Sequence, residues 1–528
     1  MAMSTTGGRR RGLGLAWLLA LCFLTLGPAL GTASRLTYHE AFVAQGAREI
    51  LASGSWEHPT IGGRPWLEKP PLPFWMVAAA GSIAGRVTPL AARLPSALAA
   101  TFLVLGVAHL ARRHYGTSIA LLAGAMQATT SWTVLRGRLA EADVSLACLI
   151  VWTLVAFDHL RTTTEINPRR WRWAFFVLLG LTSLAKGTGF GAVLVGSVVL
   201  VVLFWDRRPE AVRRLIFPAG WLVSGLIAVV WPLAMVAKYG PGVGSLWLMH
   251  VADRVGDRSG HGFFAGESWG EYILGVLGQG LPWTPLALIG IVHAFRALRR
   301  GELSAGDRLM LAWTVAPMVL VSLPGGRNTH YAIYAIVPWS IWAALTLARF
   351  GSRLEARGRS ALRVRRTAVV GLTAVAAAYG LVFGLFGARF DRRGQEWAFY
   401  EQAGALVRSD EPLVLLYDDW DRDPYPTPFG PIPHDLAVRL YYLDRPASWH
   451  LDGDPISTEA DSPPSSLAVV ARDRDLPALA ELGDVQTLAR GPHLRWDRVF
   501  SLFRVVPIRP TVNSASSTPV PRTMKTGS

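Results

Sequence analysis

Lysine, cysteine and charge of either sign are all scarce in this chain. Only 17% of its 528 residues are Asp, Glu, Lys or Arg, where soluble domains carry about a quarter. Lysine occurs only at Lys69, Lys186, Lys238 and Lys525, and every other basic residue is arginine. A lysine in such a chain is poorly explained as generic surface charge. The two cysteines, Cys22 and Cys148, both lie in apolar runs. They read as small buried hydrophobes, which excludes a disulfide framework and a thiolate metal site. No phosphate-binding glycine loop, dinucleotide fingerprint or convincing metal-ligand spacing is present, so no cofactor and no metal is expected. The net charge of +16 raises nucleic acid as a partner. The arginines, however, sit in short segments between hydrophobic runs and form no basic face, which argues against it.

Long apolar runs are abundant. Half of the residues are hydrophobic, and the runs approach the ~20 residues needed to cross a ~30 Å hydrocarbon layer. They fall near 13–31, 94–111, 117–135, 143–160, 173–185, 189–205, 215–237, 271–295, 308–323, 329–348 and 367–388. The fold class expected is an all-α polytopic membrane bundle of about eleven transmembrane helices. The first run reads as a retained helix rather than a cleaved leader. Residues 71–85 are apolar but short, and read as a re-entrant or interfacial helix. Arginines cluster before the first run and after the second, fourth, sixth, eighth and tenth. All these clusters fall on one side, which the positive-inside rule makes cytoplasmic. The N-terminus is then cytoplasmic, and loops 32–70 and 238–270 face outward. After about residue 388 the pattern changes to short buried-strand runs at 412–417, 466–471 and 499–507, with helices at 396–408 and 475–482. Three regions follow: a membrane domain over 1–388, a small extracytoplasmic α/β domain over 389–508, and a disordered tail over 509–528 rich in Ser, Thr and Pro.

The outward polar residues are the candidates for chemistry, since ionisable groups at a membrane face are rarely idle. In Trp66-Leu67-Glu68-Lys69-Pro70-Pro71-Leu72 the prolines restrict the backbone and hold Lys69 extended. An ammonium there suits a phosphate as a point charge, with Glu68 orienting it or meeting a sugar; an ordinary surface ion pair is the plainer reading. His39 and Glu40 follow the first run and suit a general base, or equally a helix cap. Asp143 opens the fourth span and reads as a site residue or an N-cap. Lys186 reads as a phosphate ligand or a snorkelling side chain. His250, Asp253 and Arg254 share one helical face, from which Arg254 reaches a phosphate oxygen or simply meets solvent. Arg327 and His330 sit in a turn leading into a helix, a place that favours anions. Several cations and carboxylates on the outer face of a membrane bundle suit a lipid-phosphate substrate whose tail stays in the bilayer.

Four ordered segments resemble a known superfamily: Tyr38-His39-Glu40-Ala41, Ala47-Arg48-Glu49-Ile50-Leu51-Ala52-Ser53-Gly54, the Trp66–Leu72 element, and Ala92-Arg93-Leu94-Pro95-Ser96-Ala97. Gly137-Arg138 with Asp143, and Leu184-Ala185-Lys186-Gly187, match as well. The chain is similar, over about residues 13–350, to the GT-C fold glycosyltransferases that use polyprenyl-phosphate sugars. These include the aminoarabinose lipid A transferases and bacterial relatives of the protein O-mannosyltransferases. The resemblance implies transfer of a sugar from a polyprenyl-phosphate donor to a lipid, glycan or protein acceptor on the outer face of the cytoplasmic membrane, with inversion. It implies that Lys69 holds the phosphate and that Glu68 lines the sugar site. The family commonly has an Asp-Glu pair after the first span, where this chain has His39-Glu40. Either Glu40 or His39 then serves as base, or the activity differs. A flippase for lipid-linked saccharides and an inactive assembly subunit are the alternatives.

Overall fold

The computed structural model describes residues 5–507 except 166–167, 188, 257–266, 392–393, 418–426, 431, 434, 452–464 and 493–498. The tail expected over 509–528 lies outside these residues. The chain divides into two compact units, residues 1–394 with 423–441, and residues 395–422 with 442–528. The stretch 423–441 therefore goes with the first unit.

The first unit is helical. It begins with α1 (Thr5–Leu26), α2 (Tyr38–Ser53), a two-stranded hairpin of β1 (Thr60–Ile61) and β2 (Arg64–Pro65), and α3 (Leu72–Ala84). Next come α4 (Pro89–Ala128), α5 (Ser131–Gly137), α6 (Ala142–Thr162), α7 (Arg169–Ala185) and α8 (Phe190–Asp206). They are followed by α9 (Pro209–Leu215), α10 (Pro218–Tyr239), α11 (Gly242–Gly256), α12 (Trp269–Gln279), α13 (Thr284–Arg299) and α14 (Ala305–Ser322). A 3₁₀ turn at Thr329–Ala332 leads into α15 (Ile333–Ile336), α16 (Trp339–Ala356) and α17 (Ala361–Phe386).

Among the described residues, α4, α6, α10 and the 361–389 segment are long and apolar enough to cross a membrane. Two bent pairs would each add one span. Two expected spans are broken. The run at 271–295 is interrupted between α12 and α13, which meet at 100°, and that at 329–348 is bent by 53° between α15 and α16. Pro282 and Pro338 fall at these breaks, where the missing N–H and fixed φ interrupt a helix. The separate runs at 94–111 and 117–135 lie largely in α4, with a break at Gly116, whose φ of 84° is open to glycine. The apolar segment after Pro70-Pro71 is the 13-residue α3, about 20 Å long and too short to cross.

The core of this unit joins α1, α4, α6, α7, α8, α14, α15 and α16. The α4 and α6 backbones approach closely at Gly106, where a Cβ would lie 2.5 Å from a Val151 methyl. At one end of the bundle charges are buried among helices. Asp158 accepts from Arg113 Nε at 2.8 Å and Arg161 Nε at 3.0 Å, with His114 at 2.9 Å. Arg161 also reaches Asp206 at 2.6 Å. Arg113 and Arg161 are therefore helix-to-helix ties between α4, α6 and α8 rather than solvated loop residues. Breaking such a pair by removing one partner costs about 3–5 kcal/mol.

The second unit holds a five-stranded sheet in the order β4 (Ser448–Leu451), β3 (Leu413–Tyr417), β5 (Leu467–Arg472), β7 (Phe500–Pro507), β6 (Gly483–Arg490). β3 runs parallel to β4 and β5, whereas β7 is antiparallel to both of its neighbours. β5 is buried along its whole length, which explains its unbroken apolar sequence. Val414, Val469, Phe503 and Leu479 of a short helix (Leu476–Leu482) fill its core. The expected strands at 412–417, 466–471 and 499–507 correspond to β3, β5 and β7. The half-polar edge strand β6 carries little apolar signal.

Candidate functional site

A cavity of about 350 Å³ opens in the helical unit, and the residues foreseen from the sequence sort themselves around it. His39 from the first turn of α2, Glu68 and Lys69 from the segment before α3, Asp143 from α6 and Lys186 from the end of α7 all line it. Arg136, Glu141, Asn328, His330 and Tyr331 complete its polar wall. Chain segments far apart in sequence thus converge on one space.

The charges in this wall are not equivalent. Arg136 donates to Glu141 at 2.7 Å. Lys186 is ion-paired with Asp143, which also accepts from the Tyr334 hydroxyl at 2.8 Å. The Lys186 ammonium lies 4.9 Å from the centre of the Tyr331 ring. These pairs neutralise one another locally. Lys69 is different: among the described residues its ammonium has no hydrogen-bond or ion-pair partner, and it is half-buried. Glu68 Oε2 is buried with no donor among the described residues. The two neighbours therefore do not form the surface ion pair that was the plain reading of this sequence. They present a cation and an acceptor to the cavity.

His39 keeps solvent access yet is ringed by protein. That enclosure, followed by the charge of Lys69, pushes its pKa down to about 4. The imidazole is neutral at pH 7 and able to accept a proton.

Glu40 does not reach the cavity, which corrects the reading of it as a base. Its side chain is fully buried. Oε1 accepts from Arg93 Nε at 2.7 Å and Ala140 N at 3.0 Å, and Oε2 from Thr37 N at 2.8 Å and Arg93 Nη2 at 3.1 Å. Four donors fill the lone-pair sites of a carboxylate. Arg93 donates onward to the carbonyls of Leu30, Ser34 and Arg35, each at 3.0 Å. This pair fastens the end of α1, the start of α2, α4 and the turn before α6. Arg138 caps α1 by donating to the carbonyls of Leu26 and Pro28 at 2.8 and 2.7 Å. It is a structural residue despite its place in a family-like motif.

Two other expected residues lie elsewhere. The Arg327 guanidinium packs over the Trp269 ring at 4.4 Å and does not line the cavity, although Gly326 and Asn328 beside it do. Arg254 is in α11, but its side chain lies outside the described residues, as do those of His250 and Asp253. Tyr334 had no sequence signal beyond an apolar run. It is found only through its contact with Asp143.

The segment that delivers Lys69 is clamped by three tryptophans. Trp75 of α3 donates to the Trp56 carbonyl at 2.7 Å, Trp231 of α10 to that of Glu57 at 2.9 Å, and Trp247 of α11 to that of Leu67 at 2.7 Å. From the other side Glu49 of α2 accepts from Thr60 Oγ1 at 2.6 Å and Gly62 N at 2.8 Å, fixing the β1–β2 hairpin. Trp66 is buried against Phe42, with ring centres 4.7 Å apart. Lys69 thus stands on a braced backbone.

The fold of the chain is that of the GT-C structures it resembles. Its structure is similar to that of ArnT from Cupriavidus metallidurans bound to undecaprenyl phosphate, with a TM-score of 0.71 at 19% identity over 94% of this chain and 98% of that one. The archaeal oligosaccharyltransferase AglB from Archaeoglobus fulgidus is similar at a TM-score of 0.50 and 13% identity, over 81% of this chain and 64% of that one. A family model described as dolichyl-phosphate-mannose-protein mannosyltransferase matches residues 68–235, which begin at Glu68. The chain is 28% identical over 346 residues to the undecaprenyl phosphate-alpha-4-amino-4-deoxy-L-arabinose arabinosyl transferase 1 of Pseudomonas fluorescens, covering 63% of this chain. It is 29% identical over 350 residues to the corresponding transferase of Edwardsiella ictaluri, covering 64% of this chain. In both cases the match spans 60% of the relative's length. The superfamily resemblance carried by the motifs between residues 38 and 187 is borne out.

Proposed function

We propose that the chain is an integral membrane glycosyltransferase that moves a sugar from a polyprenyl-phosphate donor to a lipid, glycan or protein acceptor on the outer face of the cytoplasmic membrane. One observation carries the reading: in a GT-C fold, Lys69 and Glu68 line the cavity with no hydrogen-bond or ion-pair partner among the described residues, while Arg136 with Glu141 and Lys186 with Asp143 are paired. A relative solved with undecaprenyl phosphate bound supports the donor class. In this reading Lys69 takes the donor phosphate. The bond between the anomeric carbon and the phosphate oxygen breaks, the electron pair leaves with the phosphate, and the acceptor oxygen attacks from the opposite face. Lys69 stabilises the charge that grows on the leaving phosphate, and such groups act most strongly away from bulk water. Glu68 accepts from sugar hydroxyls. Neutral His39 takes the proton of a hydroxyl acceptor, a step that an already ionised phosphate acceptor does not require.

The same reading places the N-terminus in the cytoplasm and counts about eleven spans over 1–388, supported by the one-sided arginine clusters. It assigns 389–508 to an extracytoplasmic α/β domain. The direct test is incubation of the purified protein with radiolabelled polyprenyl-phosphate sugars and candidate acceptors. Release of free polyprenyl phosphate with labelled acceptor supports transfer. Donor movement across vesicles with no bond cleavage for any pair tried would favour a flippase.

Two further outcomes are expected. Trp247→Phe keeps the ring and removes the N–H that holds the Leu67 carbonyl; donor KM should rise about 3- to 10-fold, the worth of one hydrogen bond, with kcat changed less. An equal fall in kcat alone would show that Trp247 does not position the phosphate ligand. Because His39 is already neutral, kcat/KM should stay level from pH 8 down to about 5.5 and fall toward pH 4. An acid limb centred near 6.5 would mean that the imidazole titrates at its ordinary value.

A further inference from the structure

We propose that the hairpin between α16 and α17 is a binding surface for the headgroups of anionic phospholipids. Seven arginines and one acid, Glu355, lie between positions 349 and 366. All seven arginines are exposed. Among the described residues none is paired with a carboxylate; Arg353 only packs over the Phe350 ring at 5.9 Å. Three arginines near other helix ends are, by contrast, engaged within the protein: Arg113 with Asp158 at 2.8 Å, Arg161 with Asp206 at 2.6 Å, and Arg308 with Asp206 at 2.9 Å. The hairpin therefore carries a cationic charge that the fold itself does not satisfy.

Its position and chemistry select the partner. α16 begins five residues after Tyr334, whose hydroxyl donates to the cavity residue Asp143, and runs 18 residues, about 27 Å, so its arginine-rich end lies well away from the cavity. α17 leaves the hairpin as an apolar segment able to cross a membrane. Phe350, Leu354 and Leu362 are exposed among the arginines. Apolar side chains interleaved with guanidinium groups, at the end of a spanning helix, suit the headgroup–acyl boundary. A guanidinium offers a bidentate fork to a phosphodiester, which an ammonium does not. Each basic residue near an anionic surface strengthens binding about fivefold. The surface is separate from the cavity, so it stands whatever reaction the cavity performs.

The test uses the full chain reconstituted in nanodiscs of phosphatidylcholine mixed with phosphatidylglycerol, followed by gentle release and native mass spectrometry. The wild type should retain phosphatidylglycerol several-fold over its share of the bilayer. Replacing Arg357, Arg359, Arg363, Arg365 and Arg366 together by Gln should remove most of that enrichment. A control with Arg207→Gln, Arg208→Gln and Arg213→Gln should keep it. Millimolar inorganic phosphate should not displace the lipid, because the surface takes headgroups in the plane of a membrane. Arg365→Gln with Arg366→Gln gives a graded loss if the larger variant fails to fold. The proposal is overturned if the wild type shows no enrichment, if the hairpin variants retain as much as the control, or if free phosphate or an acidic protein partner displaces the lipid.

Discussion

Lys69→Ala is expected to lower kcat/KM for a polyprenyl-phosphate sugar by about a hundredfold or more while the protein melts within a few degrees of the wild type. The activity half follows from the position of the ammonium in the cavity and from the size of effect seen when a preorganised group is removed from a developing negative charge. The stability half follows from the side chain itself: Lys69 is half-buried and, among the described residues, holds no carboxylate or carbonyl. Its removal leaves no buried partner unsatisfied. Lys69→Arg should restore part of the activity, since the charge returns on a wider, flatter group. The measurements are initial rates of polyprenyl phosphate release and thermal melting in detergent. Turnover within threefold of the wild type would remove Lys69 from the phosphate site.

Lys69 was legible because it broke two patterns at once. It is a lysine in an arginine chain, and it precedes two prolines. Neither pattern said whether Glu68 beside it was its partner; only the fold shows both lining the cavity, unpaired among the described residues. The same motifs also contained residues of another kind. Glu40, Arg93, Glu49 and Arg138 belong to the family-like segments, yet they bind backbone groups and one another. A motif marks positions that are constrained, and in a membrane bundle loops must be fastened as firmly as substrates must be held. Sequence spacing does not distinguish these two constraints. The breaks at Pro282 and Pro338 were missed for a related reason: hydropathy averages over a window and passes across a bend. Tyr334 and the three indole clamps were invisible because an aromatic residue in an apolar run looks like core until its polar atom finds a partner.

Glu40 provides the sharper test of that distinction. Its carboxylate and the Arg93 guanidinium are both buried, and together they meet five backbone groups between residues 30 and 140. Glu40→Ala leaves the Arg93 charge without its counterion and should destabilise the protein by about 3–5 kcal/mol. Loss of activity would then track loss of folded protein in melts and in gel filtration. Glu40→Gln keeps the shape but replaces an acceptor oxygen with a donor, so it should destabilise less. Glu40→Gln combined with Arg93→Met should recover part of the loss, because no unpaired charge remains and the two sites couple directly. A base would behave otherwise. If Glu40→Gln melted as the wild type and lost a thousandfold in turnover, Glu40 would be the catalytic group and His39 a bystander. The four donors on its two oxygens argue for the first result.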